Sequence, residues 1–366
     1  MIIGVPREVK ADEHRVGLLP SAVYQLVQRG HRVVMEVGAG EGSGYPDADF
    51  VNAGAVLLDG PEGVFAEAEL IVKVKEPQPE EARLLRKGQI LFTYLHLAPS
   101  PELTQSLANC KCTAIAYETI EFKGRLPLLE PMSEIAGRMS VIVGGYFLAK
   151  HHGGSGILLG GVPGVLPGKV VVIGGGVSGI NAARMATGLG ADVTILEVDV
   201  ERMRFLDITL HSAHTLYSDQ AHLLELLPRV DLLIGAVLVP GAKAPRLITR
   251  QMLQTMRSGS VFVDIAIDQG GCAETSRPTT HHNPVYVEEG VTHYCVANMP
   301  GAYTRTATQA LTNVTFPYVE LIADRGLDGA CAARPELQGG INVMNGRVTC
   351  SAVAEAHGVE CASLEL

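Results

Sequence analysis

Short apolar runs alternate with amphipathic stretches along most of this chain. In the first third the apolar runs fall at 2–5, 31–37, 69–75, 89–95 and 112–118, and helix-period segments fall at 21–29, 79–85 and 101–108. Such alternation predicts a parallel sheet wrapped by crossover helices. Ser21 and Gly30 stand where the first helix should have its N-cap and its stop. Residues 124–131 break the pattern, 132–151 reads as a long helix, and the glycine-rich stretch 153–168 reads as a loop. Further strands are expected at 214–217, 231–236, 261–266 and 294–298, followed by a second long helix over about 304–324. The last 40 or so residues are too few for a core of their own and should return to the first domain.

Between these halves lies the most specific local pattern. The strand Lys169-Val-Val-Val-Ile runs into Gly174-Gly-Gly-Val-Ser-Gly179, then a helical stretch, then a second strand, Asp192-Val-Thr-Ile-Leu-Glu197. Gly174 permits the tight turn, Gly176 lets backbone approach a pyrophosphate, and Gly179 allows close packing of helix on sheet. The helix N-terminus faces the phosphates. Glu197 ends the second strand, where a carboxylate accepts ribose hydroxyls and repels an added 2′-phosphate, favouring NAD over NADP. The expected fold is therefore α/β with two doubly wound domains, the second a Rossmann dinucleotide-binding domain, joined by two long hinge helices. The expected boundaries are 1–127 with 307–366 for a discontinuous substrate domain and 128–306 for the nucleotide domain, with a cleft between the two sites.

Composition narrows the function. The chain has 366 residues, 47% of them hydrophobic, with 41 glycines and no tryptophan, as suits an α/β protein rather than a disordered one. A formal charge of −10 argues against nucleic acid or an anionic membrane surface as a partner. Seven scattered cysteines form no disulfide framework and read as buried, inert thiols of a reducing compartment. The start of the chain lacks a charged leader with an apolar core, and no charge-free apolar span is long enough for a membrane, so a soluble cytoplasmic protein is expected. The adjacent pairs His151-His152 and His281-His282 lack a third ligand, so no metal is expected.

Ligands of open α/β sheets bind beyond the carboxyl ends of strands. Arg15, Lys75, His96 and Asp268 stand at such ends. Arginine and lysine hold a carboxylate, histidine exchanges protons near neutral pH, and an aspartate orients water or balances a developing cation. Each has an ordinary alternative: a surface charge, a strand-end solubility group, a core histidine, a helix cap. Placement at strand ends is what joins them into a set for oxidising a small amino acid.

Together these residues resemble the alanine dehydrogenase family, and the resemblance spans essentially the whole chain. The motifs that carry it are Gly4-Val-Pro-Arg-Glu8, Gly38-Ala-Gly-Glu-Gly-Ser43, Lys73-Val-Lys-Glu-Pro77, Tyr94-Leu-His-Leu97, Pro131-Met-Ser-Glu-Ile-Ala-Gly-Arg138, the stretch 235–245, Asp268-Gln-Gly-Gly271, Val296-Ala-Asn-Met-Pro300 and Ala310-Leu-Thr-Asn313. The resemblance implies reversible, NAD-dependent oxidative deamination of L-alanine to pyruvate and ammonia by a cytoplasmic homohexamer. It implies Arg15 and Lys75 as substrate ligands, His96 as general acid/base and Asp268 as the second catalytic residue. For NAD it implies Ser133, Val177, Glu197, Arg202, Ser218, Val237, Leu238, Ile265, Ala266, Ile267, Asp268, Arg277, Val296, Ala297, Asn298 and Met299. Three positions depart from the family: Glu197 where Asp is common, His14 before the substrate arginine, and Tyr303-Thr304 where Val-Pro is usual. Two rivals remain, the NAD-binding subunit of a transhydrogenase and a sensor of NAD or alanine without turnover. His96 in Tyr-Leu-His-Leu and Lys75 in Lys-Val-Lys-Glu-Pro argue against the first, and the intact set of Arg15, Lys75, His96 and Asp268 against the second, since a sensor has no need for both proton-handling groups.

Overall fold

A computed structural model describes residues 1–237 and 244–364. The chain divides into two compact units, one of Met1–Met132 with the chain from Tyr303 onward, the other of Ser133–Ala302. The first unit holds β1 (Ile2–Val5), β2 (Arg32–Glu36), β3 (Val56–Leu58), β4 (Leu70–Val72), β5 (Ile90–Thr93) and β6 (Thr113–Ala116). The second holds β7 (Lys169–Ile173), β8 (Asp192–Glu197), β9 (Ala213–Tyr217), β10 (Leu232–Gly235), β11 (Val261–Asp264), β12 (Val285–Glu288) and β13 (Val291–Tyr294). The returning chain adds β14 (Ile341–Met344) and β15 (Arg347–Val348) to the first sheet.

Both sheets carry the same order. In the first unit it runs β3-β2-β1-β4-β5-β6, parallel throughout, with β14 and β15 extending the edge antiparallel. In the second it runs β9-β8-β7-β10-β11-β13, also parallel, with β12 antiparallel at the edge. Each unit therefore reverses direction beside its first strand, between β1 and β4 and between β7 and β10, the arrangement of a doubly wound sheet.

Period-two packing explains why the central strands of the second unit, β7, β10 and β11, carry apolar runs. Val170, Val172, Leu232, Ile234, Val261 and Val263 join one core cluster; Val171, Ile173, Leu233 and Phe262 join another. Neighbouring side chains leave opposite faces of a strand, and both faces are covered along β7, β10 and β11, so 170–173, 232–234 and 261–263 are all apolar.

Several local expectations shift. The first helix is Pro20–Gln28, capped by Leu19 without a side-chain bond, so proline rather than Ser21 starts it. The strand expected at 294–298 is instead β13, which ends at Tyr294 and pairs with β12 as an unanticipated hairpin. The long helix of the first crossing is Glu130–Phe147, and it passes from one unit to the other in its first turn. The return crossing lies in a 3-10 turn, Met299–Tyr303, so the second long helix, Thr304–Ala333, belongs wholly to the first unit. That helix is broken at Gly326, where φ is 68°. All seven cysteines are free, but only Cys112, Cys272, Cys295 and Cys331 are buried, and Cys361 is exposed. No helix among the described residues is long and apolar enough to cross a membrane.

The tightest point of the second unit is Gly179, where a Cβ would lie 1.8 Å from the Gly174 carbonyl oxygen. Backbone cannot yield there as a flexible side chain would. Gly179→Ala is expected to lower stability by at least about 1–3 kcal/mol, the cost of overpacking a filled interior, and to weaken NADH binding. Thermal melting with an NADH fluorescence titration checks this; an unchanged melting temperature would refute it.

Candidate active site

In the first unit the chain leaving β1 and the chain leaving β4 part at the reversal point, and charged side chains crowd there. Glu8 follows β1 and its carboxylate accepts from the backbone N–H of Val74 at 2.7 Å and of Lys75 at 3.4 Å. Lys73, with no exposed surface, places its ammonium 3.2 Å from Glu8 and 2.6 Å from Glu81. Burial acts to discharge Lys73, yet the two carboxylates outweigh it and its pKa rises. Lys73 is thus held in a structural triad, while Lys75, also buried, follows it by two residues, in the bend that comes after β4.

Arg15 is 2% exposed and paired with Glu13 through two bonds, Nε to Oε1 at 2.7 Å and Nη2 to Oε2 at 2.5 Å. The third guanidinium nitrogen donates to the Met132 sulfur at 2.9 Å. This fork fixes the guanidinium plane in a way that a point charge would not permit. Desolvation pushes the Glu13 pKa up, but Arg15, with help from Lys75, overrides it and holds the carboxyl at about 2.

Beyond β5, Tyr94 is buried, donates to the Leu128 carbonyl at 2.6 Å and stacks on His96 with ring centroids 5.9 Å apart. Burial raises the Tyr94 pKa, so its hydroxyl stays protonated. His96 occupies the left-handed region, φ 48°, and its N–H donates to Glu118 Oε1 at 2.6 Å; the same oxygen lies 3.9 Å from its Nδ1. The ring remains substantially exposed, so it is presented rather than packed away.

In the second unit the glycine turn matches its sequence logic. Gly174 has φ 94° and sits so near the Ala236 carbonyl that a Cβ would approach to 2.7 Å. Gly176 caps the helix Val177–Gly188, is exposed, and has no atom within 4 Å of where a Cβ would point. Glu197 closes the turn: Oε2 accepts from Gly175 N–H at 2.8 Å, and Oε1 accepts from Val198 and Asp199 at 2.7 and 3.1 Å. Arg202 donates to the Gly175 carbonyl at 2.6 Å, and Ser218 N–H to the Glu197 carbonyl at 2.9 Å. An open helix N-terminus beside an anchored carboxylate fits a dinucleotide. Val237 follows at the end of β10; Leu238 lies outside the described residues.

A second group gathers around the 3-10 turn Ile265–Gln269 after β11. Exposed Asp268 accepts from the Asn298 N–H at 3.3 Å, which links that turn to Val296–Met299. Ala297 N–H donates to Thr279, and Arg277 lies over the Tyr286 ring at 4.0 Å. Ser133 is half-buried in the first turn of the helix Glu130–Phe147. Arg15, Lys75 and His96 thus lie in the first unit, with the nucleotide-turn residues and Asp268 in the second.

Glu13, Glu118 and the Glu8–Lys73–Glu81 triad were not singled out from sequence. Glu13 had a signal, since an acid two residues before a buried arginine can fold back on it; Glu118 had none, because its bond to His96 spans 22 residues.

The doubly wound fold and the glycine turn define a dinucleotide-binding architecture. Residues 4–136 match the family described as alanine dehydrogenase/PNT, N-terminal domain, and residues 140–351 match alanine dehydrogenase/PNT, C-terminal domain. The chain belongs to this alanine dehydrogenase/PNT family. It is 56% identical to the alanine dehydrogenase of Halomonas elongata over 98% of each chain. A solved L-alanine dehydrogenase superposes with TM-score 0.94 at 51% identity, covering 98% of this chain and 99% of the other. A transhydrogenase from Sinorhizobium meliloti is more distant, with TM-score 0.82 at 25% identity over 96% of this chain and 100% of the other.

The Arg15–Glu13 pair makes stability depend on pH. Glu13 has a folded pKa of about 2 against an ordinary 4.5, so its stabilisation is complete above about 4.5 and is lost as pH falls towards 2. Glu13→Gln is expected to destabilise the protein at neutral pH by roughly 3–5 kcal/mol, the cost of stranding a buried charge. Denaturant unfolding of both proteins across pH should show that difference narrowing below pH 4.5; a constant difference would contradict the pairing.

Proposed function

We propose that this chain catalyses the reversible, NAD-dependent oxidative deamination of L-alanine to pyruvate and ammonia. The observation that carries the reading is an anchored Glu197 and open glycine turn in one unit, with Arg15 and Lys75 buried at the reversal point of the other, in a chain 56% identical to an alanine dehydrogenase. The discontinuous unit serves as the substrate domain and the second as the cofactor domain. NAD, when bound, supplies the hydride acceptor.

Arg15 and Lys75 hold the substrate carboxylate, Arg15 in a plane set by Glu13. His96 takes up a proton during deamination and returns one during amination, with Glu118 and the Tyr94 ring fixing its orientation. Asp268, as an exposed carboxylate, offsets the positive charge of the substrate-derived imine and orients the attacking water. Gly174, Gly176 and Gly179 shape the pyrophosphate turn, Glu197 takes the ribose hydroxyls, and Ser133, Val177, Arg202, Ser218, Val237, Ile265, Ala266, Ile267, Arg277, Val296, Ala297, Asn298 and Met299 line the rest of the dinucleotide. A homohexamer in the cytoplasm completes the proposal. Leu158, Val162, Val165 and Leu166 support self-association: they stand exposed, Leu166 at 87%, in a stretch without charges.

Two measurements test the reading. Steady-state assays with L-alanine should favour NAD over NADP by on the order of 100-fold or more in kcat/KM, because like charges brought together cost several kcal/mol. Equal turnover with both cofactors would remove Glu197 from its role. His96→Ala should lose at least about 100-fold in kcat while keeping its fold and NADH affinity, the lower range for losing a general acid/base. Near-normal kcat with an unchanged pH profile would reject that assignment.

A further inference from the structure

One fully buried carboxylate of the second unit stands outside the functional set described so far. Asp264 is the last residue of β11, directly before the 3-10 turn that carries Asp268, and it has no exposed surface. Each of its two oxygens accepts one backbone N–H of the following loop, Oδ1 near its start and Oδ2 further along. Oδ1 accepts from the Ala266 N–H at 3.0 Å, where the loop begins, and from the Cys272 thiol at 3.5 Å. Oδ2 accepts from the Cys272 N–H at 2.9 Å and the Ser276 hydroxyl at 2.5 Å, where the loop ends. Burial pushes the Asp264 pKa up, and the bonds from Ser276, Cys272 and Ala266 act against that rise.

Two glycines make room for this carboxylate. A Cβ at Gly271 would lie 2.7 Å from Oδ2, and one at Gly235, at the end of β10, would lie 3.1 Å from Oδ1. Gly271 also has φ 78°, and its N–H donates to the Ala266 carbonyl at 3.0 Å, closing the turn from within. The loop 265–276 therefore folds around Asp264 as its internal anchor. Asp268 rides on that loop; its carboxylate accepts from the Asn298 N–H at 3.3 Å, and the neighbouring Gln269 carbonyl accepts from the Ala244 N–H at 2.9 Å.

We infer that Asp264 is the positioning residue for Asp268: it ties both ends of the 265–276 loop to the end of β11 and so sets where the Asp268 carboxylate stands. The inference rests on Asp268 acting in the reaction, as proposed above. Each oxygen of Asp264 receives a backbone N–H, so asparagine, though equal in size, must turn its NH2 towards one of them. One of the two backbone bonds to the loop is then lost whichever way the amide is placed.

The test compares Asp264→Asn, Ser276→Ala and Asp268→Asn, with Asp264→Asn and Ser276→Ala also made in the Asp268→Asn background. Each is assayed at saturating NAD, with kcat expressed per NADH-binding site titrated by fluorescence, so that misfolded protein is not counted. Asp264→Asn is expected to lose about 10- to 100-fold in kcat per site, the scale of a roughly 1 Å misplacement of a reacting group. Its alanine KM should stay within about two-fold of normal, since Arg15 and Lys75 are untouched. Ser276→Ala keeps both backbone bonds and should lose less, in the same direction; it carries the test if Asp264→Asn fails to fold. In the Asp268→Asn background neither change should lower kcat further by more than about two-fold, because both act through the same carboxylate. Normal kcat per site in whichever of the two variants folds, or a full additional loss in that background, would overturn the positioning role while leaving Asp268 in place. Normal kcat in Asp268→Asn alone would instead overturn the assignment of Asp268, and the inference with it.

Discussion

Reversal of strand order beside the first strand is the constraint on which both units depend. With β2 and β3 laid on one side of β1 and β4 to β6 on the other, the connections leaving β1 and β4 run apart over the sheet. The same holds for β7, with β8 and β9 on one side and β10, β11 and β13 on the other. Space opens beyond the carboxyl ends of those central strands, and polar backbone and side chains must be satisfied there without a sheet to do it. The glycine turn is the answer in the second unit, and a cluster of buried charges is the answer in the first.

These two answers differ in physical character. The turn after β7 leaves backbone donors and a helix N-terminus open, with Glu197 secured by three N–H groups so that its position costs nothing further when a ligand arrives. The region after β1 and β4 instead withdraws Arg15, Lys73 and Lys75 from water and compensates with Glu8, Glu13 and Glu81. Buried ion pairs of this kind add little net stability relative to an apolar core, while losing one partner is severe. Their retention here fits a requirement for fixed positive charge rather than for stability.

Carboxylates placed behind the proposed site residues recur across the molecule. Glu13 sets the plane of Arg15, Glu118 holds the backbone of His96 in the left-handed region, and Asp264 anchors the loop of Asp268. In each case the supporting acid bonds to backbone or to a buried side chain, so little freedom remains in the group it supports.

The sequence by itself determined the alternation of strands and helices, the glycine turn with its terminal acid, and the four polar strand-end residues, because each is written in spacing within about 30 residues. It did not mark Ser21 as a second helical position behind Pro20, the β12–β13 hairpin, or the crossing that falls in the Met299–Tyr303 turn, since those boundaries are decided by which backbone groups find partners. Only the tertiary structure decided that Lys73 is a buried structural cation while its neighbour Lys75 stands two residues on, and that Glu13 and Glu118 bond to Arg15 and His96 while Asp264 bonds within the loop that carries Asp268. Identical side chains in one short motif acquire separate roles through burial and through partners brought in from elsewhere in the fold, and no local pattern encodes which partner arrives.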